Sequence, residues 1–450
     1  MIRFARRLAA AGVLASLTLT GSYNAVGATT HAAPQITLTV ASFYPLDQSS
    51  GWSGLVAQFE HDNPGVTIKA QVTAGGPGGT TYLAKILAQK ASNTMPDVLG
   101  VENSWFATAA ADGLLLDITK RLSADKSFNR SQFFPKILDR FTYHDRNYGI
   151  PYDAQPIAGF YYNKTLFDQS HVSYPTTTWS WADMMTAAQK LTKRMGSRVV
   201  QYGLDPGDGD WRTFVYAYGG RIADDYRNPK TVVLDSARAT AGVDAYVSLF
   251  KKGQQVAPTP NLSGSTSTGL SSSDLFVAGK TAMYIAGYWE YVFNPQKYSQ
   301  IKLGYAPIPA GPHGDRGYAT GGTCYGVSSG SKHADLAFKF VQYFMGLPGW
   351  RAAYQAAPFH GIYPPAYYPA YNSTLFLHNP HPPVQNGWIN GWGAQYALFN
   401  PNDPNWVELD QKTLEPAINT MVLGQTPVAA TLKHLTPQLT AGLSAHQHQH

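Results

Sequence analysis

The early part of the chain alternates between strand and helix patterns, and this alternation limits the possible folds more than any other feature. Residues 35–42 (QITLTVAS) alternate apolar and polar side chains like a β-strand, residues 55–59 continue with helical spacing, and residues 66–72 resemble a second strand. Further on, Ser180 with Asp183 three residues later predicts the N-terminus of a helix. Two strands joined through a helix form a parallel pair with a right-handed crossover. The sequence therefore predicts an α/β fold.

The length of the chain predicts two lobes. Its 450 residues are too many for one ordinary hydrophobic core and suit two lobes of roughly 150 to 200 residues each, with a cleft between them. Charged residues make up 14% of the chain, against an average of about 25%, so neutral polar groups must form much of the surface. The 28 Tyr and 10 Trp suit binding by stacking and hydrogen bonding, although most of these rings are expected in the core.

The N-terminus has the pattern of an export signal. Three arginines within the first seven residues precede the apolar stretch 8–19, and small side chains precede a cleavage site after Ala28. Residues 1–28 are therefore predicted to be a signal peptide, and the mature protein is expected in the periplasm or at the extracellular face. A run similar to those of lipoproteins ends in Ser22 and has no lipobox cysteine, so no lipid anchor is expected.

Other residue patterns exclude several kinds of function. The formal net charge is +6, but no run of Lys and Arg could follow a phosphate backbone, so nucleic acid is not expected as a partner. Cys324 is the only cysteine, which rules out an intramolecular disulfide and suggests a small buried side chain. Neither a His-Glu-x-x-His pair nor a Cys/His metal-ligand pattern is present. We therefore expect no metal, no cofactor and no enzymatic activity.

Five groups of short segments resemble one protein family, in one consistent order from about residue 36 to about residue 430. The groups are residues 82–87 (YLAKIL) with 95–98 (MPDV), 111–118 (ADGLLLDI), 149–153 (GIPYD) with 161–167 (YYNKTLF), 276–283 (FVAGKTAM) with 287–289 (GYW), and 303–309 with 321–322 and 337–340 (AFKF). Together they resemble type 1 extracellular solute-binding proteins, the sugar receptors of ABC importers, a family that includes maltose-binding protein.

The resemblance implies a periplasmic-binding-protein type II fold, in which two α/β lobes are joined by a hinge and close on a ligand in the interlobe cleft. Lobe 1 would comprise residues 34–148 and 303–347, lobe 2 would comprise 149–302 and 348–440, and residues 441–450 would form a disordered tail. The implied function is that of the extracytoplasmic substrate-binding component of an ABC importer. Such a protein would be a monomer that captures a sugar or oligosaccharide and delivers it to membrane permease subunits.

Site residues follow from the chemistry of a sugar, which presents flat C–H faces and a rim of hydroxyl groups. Its receptor needs aromatic platforms, carboxylates and amides. The resemblance places a stacking ring at Trp289 and a carboxylate at Asp153, where the chain crosses between lobes. Glu102, Asn103 and Trp105 follow the third predicted strand, at the carboxyl end where open α/β sheets bind ligands. For each of these residues, a structural role in the core, a turn or a cap is the alternative.

Additional candidates lie on both lobes. Gly321 and Gly322 could bring backbone groups against a ligand, or could serve only a bend. Asp210 and Trp211 follow a Gly/Asp-rich turn whose position resembles a second-lobe contact loop of the family. At least one tryptophan of a late segment dense in Pro, Tyr, Asn and Trp is expected to line the cleft, from the set Trp388, Trp392 and Trp406.

Two alternative functions remain open at this stage. A glycerol-3-phosphate-type solute receptor of the same fold would need a cationic cleft, for which Arg212 and Arg351 could supply the donors. A secreted carbohydrate-active hydrolase would need two carboxyl groups about 5 to 10 Å apart. Glu102 and Asp153 form the pair that could meet this requirement.

Overall fold

The computed structural model describes residues 35–42, 52–73, 79–126, 128–260, 266, 268–293, 295–356, 363–380 and 386–444. Residues 1–28, predicted to be a signal peptide, lie outside this part of the chain, as do residues 445–450 of the expected tail. The described helices include none that is both long and apolar enough to cross a membrane.

Short strands and helices alternate along the chain. The strands are β1 (Ile36–Ser42), β2 (Val66–Val72), β3 (Val98–Glu102), β4 (Thr142–Tyr143), β5 (Arg146–Asn147), β6 (Ile150–Pro151), β7 (Gln155–Pro156), β8 (Gly159–Asn163), β9 (Lys193–Met195), β10 (Arg198–Asp205), β11 (Thr281–Ile285), β12 (Leu303–Pro307), β13 (Tyr318–Gly321), β14 (Thr323–Val327) and β15 (Ala397–Leu398).

The helices cover the sheets and form most of the C-terminal part. They are α1 (Trp52–Asp62), α2 (Thr80–Ala91), α3 (Phe106–Ala111), α4 (Thr119–Ala124), α5 (Pro135–Asp139), α6 (Lys164–Gln169), α7 (Trp181–Leu191), α8 (Asp210–Ala217), α9 (Ala237–Ser248), α10 (Ser272–Val277), α11 (Trp289–Phe293), α12 (Pro295–Tyr298), α13 (Ala334–Met345), α14 (Leu347–Ala356), α15 (Tyr368–Tyr371), α16 (Trp388–Ala394), α17 (Trp406–Leu409), α18 (Glu415–Val422) and α19 (Val428–Ser444).

The first large sheet has the strand order β2-β1-β3-β14-β6. Strand β1 runs parallel to β2 and β3, which confirms the predicted β-α-β opening, whereas β14 runs antiparallel to β3 and β6. Leu38, Val40 and Val98 of this sheet are completely buried, together with Phe59 of α1. The apolar face of α1 therefore packs against the sheet, as the sequence spacing predicts.

The second large sheet has the order β12-β8-β11-β10-β9. Strand β10 is parallel to β11, and the other neighbours are antiparallel. Every residue of β8 and β11 is buried, so both faces of the sheet centre are covered. The fold is thus mixed α/β with two separate sheets.

A small third sheet of order β15-β13-β7 lies where the chain passes between the two large sheets. One crossing runs from β6 through β7 to β8, and the return crossing runs from β12 through β13 to β14. In the antiparallel pair β7 and β13, Gln155 lies opposite Gly321 and Pro156 opposite Thr320. The two crossings therefore lie side by side and form the hinge region.

The strand pairing differs from the lobe limits expected at residues 303 and 348. Strand β12 pairs with β8 along its whole length, and Tyr305 packs against the Tyr161 ring at a centroid distance of 4.8 Å, so residues 303–307 belong with the second sheet. The chain rejoins the first sheet only at β14. Helix α14 packs against α1 and α13, so it belongs with the first sheet.

The last helix continues further than the expected start of a disordered tail at residue 441. Helix α19 ends at Ser444. Its final turns are held because Leu443 is buried and the Gly442 carbonyl accepts a hydrogen bond from Asn405 Nδ2 at 3.1 Å. Residues 441–444 are therefore part of the folded structure.

Candidate functional site

Asp153 connects the two hinge crossings. It lies between β6 and β7, where Oδ1 accepts a hydrogen bond from the Thr323 backbone N–H at 3.0 Å and Oδ2 accepts one from Gln155 Nε2. The side chain is buried. Burial is the main reason that the pKa of Asp153 is raised to about 7. The hydrogen bonds from Gln155 and Thr323 oppose the rise, and the nearby Glu102 carboxylate adds to it.

Gly322 brings the backbone close to the Asp153 carboxylate. Its φ is 132°, and a Cβ atom at this position would lie 2.9 Å from Asp153 Oδ1, so only glycine fits without a shift. The Gly322 carbonyl accepts a hydrogen bond from the Asn103 backbone N–H at 2.9 Å. Asn103 is buried and thereby connects the end of β3 to the return crossing.

Glu102 ends β3 and is only partly buried. Its carboxylate accepts hydrogen bonds from Asn103 Nδ2 at 2.8 Å and from Ser104 Oγ. Burial raises the pKa of Glu102, while the Ser104 hydrogen bond and the charge of Arg140 lower it. Arg140 is buried and donates to the Asn103 carbonyl and, at 2.9 Å, to Asn402 Oδ1. This arginine therefore fixes the backbone behind Glu102.

Trp289 is half-buried at the start of α11, directly after the exit of β11. Its indole lies so close to Gly287 that a Cβ atom there would overlap the ring, and it lies 3.7 Å from the position of a Cβ atom at Gly321. The ring thus packs between the end of β11 and strand β13 of the hinge. One part of it stays accessible to solvent, as a stacking platform requires.

One acidic side chain, Asp208, contacts the Trp289 ring directly, and others lie near Asp208. Asp208, in the 3-10 turn Gly207–Gly209, is exposed to solvent and accepts a hydrogen bond from the Trp289 indole. The protein around it displaces much of the water, and Glu290 and Asp205 lie nearby, so the pKa of Asp208 is raised to about 7. Glu290 itself accepts a hydrogen bond from Tyr298 at 2.6 Å. The ring therefore has the Asp208 carboxylate as a direct hydrogen-bond partner.

The structure brings six of the sequence candidates together at the hinge, and we call them, with Asp208, the crossing site. Its members are Glu102, Asn103, Asp153, Gly321, Gly322, Trp289 and Asp208. Asp208 was missing from the sequence candidates, although its signal was present in the Gly-Asp-Gly-Asp turn before Trp211. Gln155 was also missed, because its role depends on pairing with β13, which a linear pattern does not reveal.

Asp210 and Trp211 belong to an ion-pair cluster around Arg212 instead. The guanidinium group of Arg212 binds Asp210, Asp410 at 2.7 Å and Glu415 at 2.8 Å. It also lies 4.5 Å from the ring centroid of Trp211, whose Nε1 donates to Glu415 at 3.2 Å. Because Trp211 is 1% exposed, its ring has no free face for a ligand in this conformation.

Trp105 and Trp406 are likewise buried, at 3% and 2% exposure. The Trp105 indole packs against Tyr82 at a centroid distance of 5.1 Å, and a Cβ atom at Gly79 would lie 2.6 Å from it. These contacts give the ring a place in the core beneath the end of β3. Trp388 and Trp392 lie together in a depression that contains no residue of the crossing site.

Neither arginine that a phosphate receptor would use lies in the crossing site. Arg212 is surrounded by three carboxylates, and Arg351 is exposed on α14.

Residues 326–330 (GVSSG) have the Gly-x-Ser-x-Gly pattern found around hydrolase nucleophiles. However, Ser328 is fully buried at the end of β14, and its Oγ accepts a hydrogen bond from the Gly330 N–H at 3.2 Å. This serine therefore has the environment of a core side chain.

Comparison with known proteins places these observations in a family. Residues 45–348 match the family model described as bacterial extracellular solute-binding protein. A putative binding protein from Brucella abortus (strain 2308) is 24% identical over 362 residues, which covers 76% of this chain and 78% of that protein.

Solved structures of similar fold come from several bacteria. An ABC substrate-binding protein from Listeria monocytogenes, in complex with cycloalternan, has a TM-score of 0.73 at 21% identity and covers 91% of this chain and 98% of its own. A cyclic alpha-maltosyl-1,6-maltose binding protein from Arthrobacter globiformis has a TM-score of 0.74 at 18% identity, with coverage of 91% and 99%. The predicted two-lobed periplasmic-binding-protein type II fold is confirmed, and the chain belongs to the family of bacterial extracellular solute-binding proteins.

Proposed function

We propose that this chain is the extracytoplasmic substrate-binding component of an ABC importer and that it captures a sugar or oligosaccharide in the crossing site. The observation that carries the proposal is the half-buried Trp289 ring. Its indole donates a hydrogen bond to Asp208, and Gly321 lies at its edge. A pyranose can stack its C–H face on such a ring while its hydroxyl groups donate to the nearby carboxylates.

Similar proteins support a saccharide as the ligand class. The two solved relatives described above are associated with cycloalternan and with cyclic alpha-maltosyl-1,6-maltose, and a third, a cyclo/maltodextrin-binding protein with a TM-score of 0.72, was solved with maltotetraose. The family consists of binding proteins rather than enzymes. We therefore propose capture without turnover.

We further propose that the lobes follow the two large sheets. Lobe 1 would contain the sheet with β1 and β14 together with α13 and α14, and lobe 2 would contain the sheet with β8 and β12 together with α18 and α19. Closure would then bend the two crossings beside Asp153 and bring Glu102 of lobe 1 towards Trp289 of lobe 2. The mature protein would be an exported monomer that delivers its ligand to permease subunits.

The two alternative functions lack comparable support. A glycerol 3-phosphate site needs unpaired cations in the cleft, whereas Arg212 already binds Asp210, Asp410 and Glu415. A hydrolase needs a free acid pair, whereas both oxygens of Asp153 already accept hydrogen bonds from the protein.

A thermal-shift screen against mono- and oligosaccharides would identify the ligand, because a ligand at 100 times its Kd adds about 2.7 kcal/mol of stability. Calorimetry on Trp289→Ala then tests the site. If stacking removes roughly 100 Å² of apolar surface from water, it contributes about 2.5 kcal/mol, which corresponds to a loss of affinity of roughly 50-fold or more. Trp289→Phe should retain much of the affinity because a ring face survives.

Melting of the ligand-free variants serves as the control. If Trp289→Ala unfolds much earlier but binds the sugar normally while folded, Trp289 is a core residue and the proposed site is wrong. Binding of glycerol 3-phosphate without any response to sugars would contradict the ligand class. Sustained release of product from any bound glycan would contradict capture without turnover.

A further inference from the structure

A second concavity lies within the part of the chain that forms the second sheet. Its larger section has a volume of about 940 Å³ and an adjoining section has about 220 Å³. Thr177, Trp179 and Arg316 line both sections, so the two form one groove, which we call the outer groove. The larger section alone is within the range of about 300 to 1,000 Å³ typical of ligand sites. No residue of the crossing site lines either section.

Tryptophan rings that remain open to solvent distinguish the outer groove from ordinary surface. Trp388 is 37% exposed, and Trp179 and Trp392 are only partly buried. The Trp388 and Trp392 rings are in contact at a centroid distance of 6.3 Å, and Trp179 lines both sections. Indole surface left in water is unfavourable, so a cluster of it in a concavity indicates a binding surface.

The polar groups of the outer groove indicate a neutral ligand. Arg316 is exposed, with its guanidinium group 4.9 Å from the ring centroid of Trp392. The larger section also contains the exposed carboxylate of Asp244 and the hydroxyl of Thr177. Arg316 and Asp244 are the charged residues among the described residues that line this section, one of each sign. A phosphate or a polyanion would require an excess of cations.

The apolar lining argues against a peptide. Among the described residues that line the larger section, none is Leu, Ile or Val. A groove for an amphipathic helix offers pockets to apolar anchors and is usually built from such aliphatic side chains and Met. Here the apolar surface of the larger section comes mainly from aromatic rings, alanines and Pro312, and Met185 is the one flexible apolar side chain among its described lining residues. Aromatic platforms with a mixed set of donors and acceptors match the C–H faces and hydroxyl groups of a sugar.

The geometry of the outer groove points to a second carbohydrate-binding site, and we propose that it holds a neutral oligosaccharide or polysaccharide chain. Its rings would stack on successive sugar units, with Arg316 donating to hydroxyl groups and Asp244 accepting from them. This site is independent of whatever the crossing site binds.

Local contacts hold the walls of the outer groove. The loop that carries Pro312 and Arg316 is held by the Gly311 N–H, which donates to the Asp315 carbonyl at 2.9 Å, and by an ion pair of Asp315 with Arg238 at 2.9 Å. The N-terminus of α7 is held by the mutual hydrogen bonds of Ser180 and Asp183. These elements belong with the second sheet, so the walls of the larger section do not depend on closure of the lobes. Helix α16, which carries Trp388 and Trp392, packs instead against β7 and β13 of the hinge.

Affinity electrophoresis of the purified full chain tests the proposal, with soluble starch, dextran, xylan or a mixed-linkage β-glucan cast in native gels. We expect at least one polysaccharide to retard the protein. Trp388→Ala should weaken the retardation by about tenfold, because one stacked ring is lost. Trp289→Ala should be retarded like the wild type, and so should Tyr174→Ala, which removes a ring of similar exposure (38%) outside the groove.

Three results would overturn the proposal. The first is migration unaffected by all four polysaccharides. The second is retardation that Trp289→Ala abolishes and Trp388→Ala leaves intact, since the crossing site would then hold the polymer. The third is a wild-type dimer in gel filtration that Trp388→Ala converts to a monomer, which would identify a second copy of the chain as the occupant. The result for the groove does not depend on the sugar screen of the crossing site.

Discussion

Replacing Asp153 by Asn is expected to stabilise the protein at neutral and alkaline pH. The buried carboxyl group is more stable in its neutral form, which is why its pKa is raised to about 7. An Asn side chain is neutral at every pH and keeps the acceptor for the Thr323 N–H. Its amide can also donate to Gln155 Oε1, one of the buried polar atoms in the described residues without a hydrogen-bond partner, once the Gln155 amide has rotated.

The size of the effect follows from the difference between the folded and unfolded pKa values. A rise from 3.8 to about 7 corresponds to about 4 kcal/mol. At pH values between these two, the unfolded chain has released the proton while the folded protein retains it. The contribution of Asp153 to stability is therefore highest below its unfolded pKa and is lost as the pH rises through about 7. Between pH 5 and 7, the wild type should lose about 2 to 3 kcal/mol relative to Asp153→Asn.

Urea unfolding of both proteins at half-unit steps from pH 5 to 8.5 would measure this difference. Subtraction removes the contributions of other carboxyl groups with raised pKa values, such as Asp205 and Asp208, that both proteins share. Asp235→Asn is the matched control, because it removes the same charge from an exposed position and should give a difference close to zero throughout. A wild-type-minus-variant difference that does not change with pH would refute the burial argument for Asp153.

Three other substitutions test individual contacts. Trp105→Ala should lower the free energy of unfolding by about 3 to 5 kcal/mol, as for a core ring, but leave the saccharide Kd of the folded protein unchanged. A large loss of affinity in calorimetry would show that Trp105 contacts the ligand. Gly322→Ala should cost about 2 kcal/mol in urea unfolding because of its φ of 132° and the approach to Asp153 Oδ1, and a neutral result would show that the hinge relaxes. Arg212→Met should destabilise the protein by about 3 kcal/mol at pH 8. The loss should be smaller at pH 5, because Asp410, with a pKa raised to about 6, is then protonated. Equal losses of melting temperature at both pH values would contradict this.

Local signals in the sequence predicted local structure well. The opening β-α-β unit was recoverable because its apolar periodicity changes from strand to helix and back, and the Ser180 capping box is present with hydrogen bonds of 2.9 and 3.1 Å to and from Asp183. Strand pairing places Leu303–Pro307 with the second sheet and not with the expected first lobe, because an apolar run of this kind fits any buried strand. Its pairing with β8 depends on residues far away in the chain.

The direction in which a tryptophan ring points was the least predictable part of the site. Trp105 follows a strand end where ligands often bind, but the 3-10 turn Asn103–Trp105 directs its ring into the core. Trp211 is similar, because α8 packs it under Arg212. Trp289 differs because Gly287 leaves room for its indole at the surface of the lobe. Such distinctions depend on tertiary packing, which residue type and spacing do not specify.

The position of β14 has a consequence for how the chain acquires its structure. This strand lies between β3 and β6, with Val327 opposite Val98. In the chain, however, β4 to β13 all come between β3 and β14. A ribosome therefore completes the whole second sheet before the first sheet can receive its inner strand. Such a distant pairing loses the entropy of closing a long loop before its contacts can stabilise the sheet. We therefore expect slow folding of the first sheet. In a nascent chain the edge of β3 would consequently stay unpaired until β14 has been synthesised.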